Sequence, residues 1–151
     1  MDDPGTVSRG GRREGETSPA AAFLDLHAIL ESIPEPVGLV DRRGQVLAFN
    51  GAARSVVFAA RTQSVALGDD LFSFISPHNQ PGVRESLARA FSGEAHTHRS
   101  EARGYHFETV FSPVRGPCGE VAAVSVRVKD VTARENALAE IAALNATLEE
   151  R

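Results

Sequence analysis

Only one cysteine, Cys118, occurs in the 151 residues. That excludes an internal disulfide framework and a multi-cysteine metal centre, and it fits a reducing compartment. An excess of positive charge is missing as well. The chain has 16 Lys and Arg against 20 Asp and Glu, a formal net charge of −4, with the basic residues scattered. No basic field is available to hold nucleic acid. Long apolar runs are absent too, since no stretch approaches the ~20 residues that a membrane helix needs. Arg9, Arg12 and Arg13 are followed by Glu14-Gly15-Glu16 rather than by the apolar centre of an export signal. The expected location is therefore the cytoplasm. Ser, His and Asp are all present, but none sits in a nucleophile elbow or a Gly-rich phosphate loop. No catalytic centre and no internal repeat is read, so the chain is expected not to be an enzyme.

What is present suits one compact domain, with 42% hydrophobic and 24% charged residues. Residues 1–17 are Gly-rich and charged and nearly empty of large apolar side chains, which predicts a disordered tail. Over residues 18–33, Ser18-Pro19 is a helix-start signal, and Phe23, Leu26, Leu30 and Ile33 form one apolar stripe. Pro34 and Pro36 end that helix. Val37–Val40 and Gln45–Phe49 then read as a hairpin around Asp41-Arg42-Arg43-Gly44. Asn50 is placed to cap the small-residue helix that follows. Leu71–Ile75 is expected to be one helical turn. Pro81 opens a helix with Val83, Leu87 and Phe91 on one face and Gly93 as its stop.

From residue 95 the period changes to two. His96–Glu101 alternates weakly, and Tyr105, Phe107, Thr109 and Phe111 alternate with polar neighbours. After the Gly116-Pro117-Cys118-Gly119 turn, Ala122, Val124, Val126 and Val128 are expected on one strand face, with Ser125, Arg127 and Lys129 on the other. Thr132-Ala133-Arg134-Glu135 has the form of a capping box. Ala137, Ile141, Leu144 and Leu148 follow at spacings of four, three and four, a heptad seam too short to hold a coiled coil alone.

This order of elements resembles the PAS domain, and the residues carry the resemblance. Ile33–Asp41 looks like that family's entry into its first strand. Gly44–Ala53, with Asn50-Gly51-Ala52-Ala53, looks like its second strand and following helix start. Phe91–Glu94 resembles the end of its long helix. Ser112–Arg115 and Lys129-Asp130-Val131-Thr132-Ala133-Arg134-Glu135 resemble its last strands and terminal Asp-hydrophobic-Thr signature. The resemblance covers residues of about 22 to 135. It implies an α+β fold with a five-stranded antiparallel sheet flanked by short helices, a core over 34–130 and a signalling helix over 131–151. It also implies sensing or dimerisation in a signalling system such as a sensor histidine kinase. Signal transmission falls to Asp130, Thr132 and Glu135, and dimerisation to the seam Ala137, Ile141, Leu144 and Leu148. The implied partners are a second copy, through the flanking helices, and a downstream effector domain or protein.

Each candidate ligand site has a plainer rival. Phe58, Phe72, Phe74, Val83, Leu87, Phe107 and Val126 are candidates to line a small-molecule pocket, and the leading reading of the same side chains is that they simply fill the core. Haem, which some PAS proteins hold through a histidine on their long helix, is disfavoured, because the helix from Pro81 to Phe91 has no histidine, Val83 stands near where the resemblance would put the ligand, and His78 belongs to a loop. Covalent flavin is disfavoured, because Asn50-Gly51-Ala52-Ala53-Arg54 lacks the required cysteine and Cys118 lies in the last hairpin turn. His96, His98 and His106 form a conceivable zinc set, against which stand two exposed histidines of an edge strand. His27 sits on a helix, but its neighbours do not match a kinase phosphoacceptor motif. Two other functions compete: a ligand-free assembly module, and a small α+β hydrolase or isomerase, for which neither Asp25 nor Asp41 is convincingly placed.

Overall fold

The computed structural model describes residues 19–149, with the side chains of 19–24 and 58–61 outside that description. The expected tail over 1–17, the Ser18 cap and the Phe23 and Phe58 side chains therefore lie outside the described residues. Helix α1 (Pro19–Ser32) ends ahead of the two prolines, and the hairpin strands β1 (Val37–Val40) and β2 (Val46–Phe49) follow. Their turn is held by Asp41, whose Oδ1 accepts from the backbone N–H groups of Arg43 and Gln45, both at 2.9 Å. Gly44 has φ of +80°, which an L side chain rarely adopts. Helix α2 (Gly51–Arg61) leads to a 3₁₀ turn (Leu71–Phe74) capped by Asp70. Helix α3 (Gln80–Phe91) then precedes strands β3 (His96–Ala102), β4 (Tyr105–Arg115) and β5 (Val121–Asp130) and the exit helix α4 (Thr132–Glu149).

The five strands form one antiparallel sheet in the order β2-β1-β5-β4-β3, so the two halves of the chain meet where β1 pairs with β5. This is the α+β architecture that the resemblance implies. Helix α3 lies across one face of the sheet. Its Val83, Leu87 and Ala90 pack with Val40, Val46, Phe111 and Val124, all nearly inaccessible to solvent. Phe49, Leu71, Phe72, Phe74, Ile75, Phe91 and Val126 close the rim of that core. Burial of this apolar surface is the main source of stability. A smaller cluster of Leu30, Val37 and Ala48 seats α1 on the hairpin.

One detail departs from simple alternation. The β4–β5 register slips between Val114 and Arg115, so Val114 pairs with Ala123 and Arg115 with Val121. Ala122 is left unpaired at this bulge and is exposed, while Ala123 and Val124 are both buried. The expectation of Ala122 on the buried face is corrected by that extra residue, since a bulge re-aims every side chain before it.

Candidate functional site

The place where the sheet hands the chain to its exit helix is built from four residues in two strands and one helix turn. The Asp130 carboxylate Oδ1 accepts from the Thr132 backbone N–H at 3.0 Å and from the Thr132 hydroxyl at 2.5 Å. The Thr132 Oγ1 in turn accepts from the His106 backbone N–H at 2.9 Å, and the Val131 N–H donates to the His106 carbonyl at 2.8 Å. The backbone of β4 is thus clamped to the first turn of α4. These two bonds to Thr132 hold the Asp130 carboxyl below its ordinary range, the hydroxyl more than the amide, with His106 adding to the effect.

The capping box expected from Thr132 and Glu135 is not what forms. The Glu135 N–H is taken by the Val131 carbonyl, and the Glu135 carboxylate lies 3.4 Å from the Arg134 guanidinium. Thr132 turns back to the sheet, and Asp130 supplies the cap. The opposite face of the junction is ionic. Arg134 of α4 reaches Glu108 of β4, which Arg99 of β3 also meets at 3.2 Å. The Arg134 hydrogen bond, with the charges of Arg134, Arg99 and Lys129, keeps the Glu108 carboxyl below its ordinary range despite partial desolvation. One carboxylate thereby ties β3, β4 and α4 together. The junction roles of Glu108, Arg134 and His106 were not legible in the sequence, because they come from cross-strand neighbours that only the register reveals.

A second polar hub was legible only as a cap. Asn50 is 1% exposed, and its Oδ1 accepts from Ala53 N–H at 2.9 Å and from Val37 N–H at 3.1 Å. Its Nδ2 donates to the carbonyls of Leu30, Ile33 and Glu35 at 3.2, 3.1 and 2.8 Å. It therefore joins α1, the entry to β1 and the start of α2.

The candidate pocket residues do not share one wall. Val83 is buried in the central core, and Leu87 lies beside it with one edge toward a surface groove that Phe72 also lines. Phe74 and Val126 pack at the core rim, and Phe107 lies against Tyr105 with ring centroids 6.4 Å apart. The dimer-seam candidates are all exposed on α4, as is Leu138, which the heptad count passed over. Asp41 is consumed by its turn, and Asp25 is exposed.

The histidines differ from expectation. His96 and His98 pair with Phe111 and Thr109 and so point to the helix-covered face, where both are half-buried rather than exposed. His96 Nδ1 lies 2.7 Å from the Ser86 hydroxyl, and His98 Nε2 is 3.4 Å from Asn79 Oδ1. His98 fills the space over Gly82, where a Cβ would collide with its ring. His106, three residues before Thr109 and five before Phe111 on β4, falls on the opposite face of the sheet, so the three imidazoles do not converge. Among the described residues no group of three His, Cys, Asp or Glu is placed to hold a metal ion. Cys118 is exposed in the β4–β5 turn.

Comparison with known proteins agrees with this architecture. A family model described as the PAS fold matches residues 30–136. The PAS domain from Bordetella pertussis BvgS superposes with a TM-score of 0.60 at 18% identity, covering 83% of this chain and 98% of that one. A sensory box sensor histidine kinase from Vibrio cholerae gives 0.52 at 13% identity, with 74% and 90% covered. A domain of a light and redox sensing histidine kinase from Haloarcula marismortui, putative in its description, gives 0.51 at 16% identity, with 72% and 98% covered. At these identities the likeness is one of fold. No curated protein matches the sequence.

Proposed function

We propose that this chain, which belongs to the PAS fold family, is a sensory and dimerisation module that transmits a change in its sheet to the exit helix α4. The observation that carries the proposal is the junction. Asp130 and Thr132 bind the helix start to the His106 backbone, and Glu108 holds Arg134 from the other side. A ligand or partner that binds two sheet conformations unequally would move β4 against β5, and the clamp would convert that motion into a displacement of α4. Exposed Ile141, Leu144 and Leu148, 54%, 59% and 66% accessible, then pair with a second copy whose register the displacement alters. Kinase output belongs to the solved histidine kinases from Vibrio cholerae and Haloarcula marismortui. For this chain an effector of that kind, a cytoplasmic setting and the absence of a catalytic role of its own are parts of the proposal.

The reading is tested by cysteine cross-linking in a Cys118→Ser background. Single cysteines at 137, 141, 144 and 148 should form disulfides between copies, while cysteines at 139 and 142 should not. Adding Thr132→Val should shift the pattern along or around the helix. An unpatterned result, or one that Thr132→Val leaves unchanged in a folded protein, contradicts the proposal.

A second reading, ligand-free assembly, is favoured by the tightly filled centre around Val83, Phe111 and Val124. Native mass spectrometry and an absorbance spectrum separate the two, since a retained cofactor adds mass or colour.

A further inference from the structure

Three arginines that pair with no carboxylate among the described residues converge on one side of the molecule, remote from the exit helix. Arg42 and Arg43 come from the β1–β2 turn, and Arg84 comes from α3. Together with Phe72, Phe91 and one edge of Leu87 they line a solvent-open groove of about 540 Å³. That volume suits a small organic molecule. Among the residues lining the groove none comes from β3, β4 or β5, so it lies outside the core face between sheet and α3.

Two of the three guanidiniums, those of Arg84 and Arg42, are held by ring stacking. The Arg84 guanidinium carbon sits 4.1 Å above the centroid of the Phe72 ring, and that of Arg42 sits 5.1 Å from the centroid of Phe91. Stacking of this kind fixes the plane of the group while leaving its N–H edges available. The nearby carboxylates are engaged elsewhere. Asp41 accepts from the turn N–H groups, Asp70 caps the 3₁₀ turn through the Phe72 N–H, and Glu85 pairs with Arg89. In a chain of net charge −4, three guanidiniums set against the two turn carboxylates Asp41 and Asp70 leave a local excess of positive charge at the groove.

We propose that this groove binds an organic phosphate, a dianionic phosphoryl head held by the Arg42, Arg43 and Arg84 forks with a flat apolar body against Leu87 and the ring edges of Phe72 and Phe91 that the stacked guanidiniums leave uncovered. The planar fork matches phosphate oxygens in pairs, and a dianion answers three cations better than a monocarboxylate does. Arg42 also donates to the Val121 carbonyl at 3.4 Å, so the occupied groove touches the first residue of the strand that ends at Asp130. Binding itself does not depend on the transmission proposed above.

Amide chemical-shift titration of the whole chain tests the site, with phenyl phosphate, inorganic phosphate and benzoate as probes. Phenyl phosphate is expected to move the Arg43, Gly44, Ala88 and Ser92 amides saturably with one-to-one stoichiometry. Inorganic phosphate and benzoate should each bind at least threefold more weakly, and added salt should weaken all three. Arg42→Gln with Arg84→Gln should weaken phenyl phosphate at least tenfold. The single variant Arg43→Gln, on an exposed side chain, should show about a threefold loss with an unchanged melting temperature. Arg103→Gln, in the β3–β4 turn at the other end of the sheet, should bind as the parent does. No saturable shift at these amides, or full affinity in folded Arg43→Gln and in the double variant, overturns the site. Inorganic phosphate or benzoate binding as tightly as phenyl phosphate overturns the organic phosphate assignment.

Discussion

At the scale of single residues, two polar side chains set the frame within which everything else moves. Asn50 satisfies two backbone donors and three carbonyls while almost wholly buried. Removing it leaves several buried polar groups unpaired, so Asn50→Ala should cost about 3 kcal/mol. Asn50→Asp should also destabilise, because it keeps the acceptor but turns a carboxylate toward three carbonyl oxygens. Urea denaturation of the two variants measures both. Thr132→Val removes the hydroxyl that links His106 to Asp130 and should cost about 1 kcal/mol while leaving the sheet folded. The Asp130 carboxyl lies below its ordinary value of 3.8 when folded. Its contribution is complete above that value and is lost as pH falls through the folded pKa. Acid should therefore release the helix start in the parent and have little further effect at this site in Asp130→Asn, as helix circular dichroism against pH would show.

At the scale of elements, strand β3 holds a pH-sensitive face. Burial, then the charges of His96 and His78, lower the pKa of His98 from its ordinary 6.5. The groups packed around it are His96 on its own strand, itself bonded to Ser86 of α3, Thr109 on β4, Gly82 on α3, and Asn79 and His78 before α3. A histidine whose folded pKa is depressed binds its proton more readily when unfolded. Stability then falls as pH drops through about 6.5 toward the folded pKa and changes no further below it. The parent should melt at a lower temperature at pH 5 than at pH 7, and His98→Gln should flatten that difference. An equal difference in both proteins would place the sensitivity elsewhere.

The same strand shows what the sequence could and could not convey. Period-two alternation in Tyr105–Phe111 and period-four spacing in Val83–Leu87–Phe91 reveal strands, helix and core, because side-chain direction follows directly from those periods. The inward turn of His96 and His98 was hidden, since polar residues in a weakly alternating strand carry no sign of which face they take. Their direction follows from pairing with Thr109 and Phe111, a fact of register. The exit junction was half legible. Asp130 and Thr132 stood out, while Glu108 and Arg134, 26 residues apart, meet only through the β4–β5 ladder. The Ala122 bulge was invisible for the same reason.

At the scale of the whole molecule, the two ends of the sheet are chemically different. The β4–β5 ladder runs from Phe107 and Asp130 at the exit helix to Arg115 and Val121 near the arginine groove. Strand β5 is central and shared by both halves of the fold, so it is the shortest covalent route between those ends. Its rigidity rests on the core. Phe111→Ala, at a residue 1% exposed, should cost about 4 kcal/mol and loosen both ends together. A thermal melt would register this as a large drop in midpoint with the transition kept cooperative.

The central claim is that Asp130 and Thr132 mechanically couple sheet to exit helix, and amide hydrogen exchange tests it most directly. Exchange is compared between the parent and an Asp130→Asn, Thr132→Val double variant. The expected result is faster exchange across the first turns of α4, residues 132–139, with β4 and β5 amides as protected as before. Unchanged exchange in α4 would contradict the account, and so would a loss of protection spread evenly over sheet and helix.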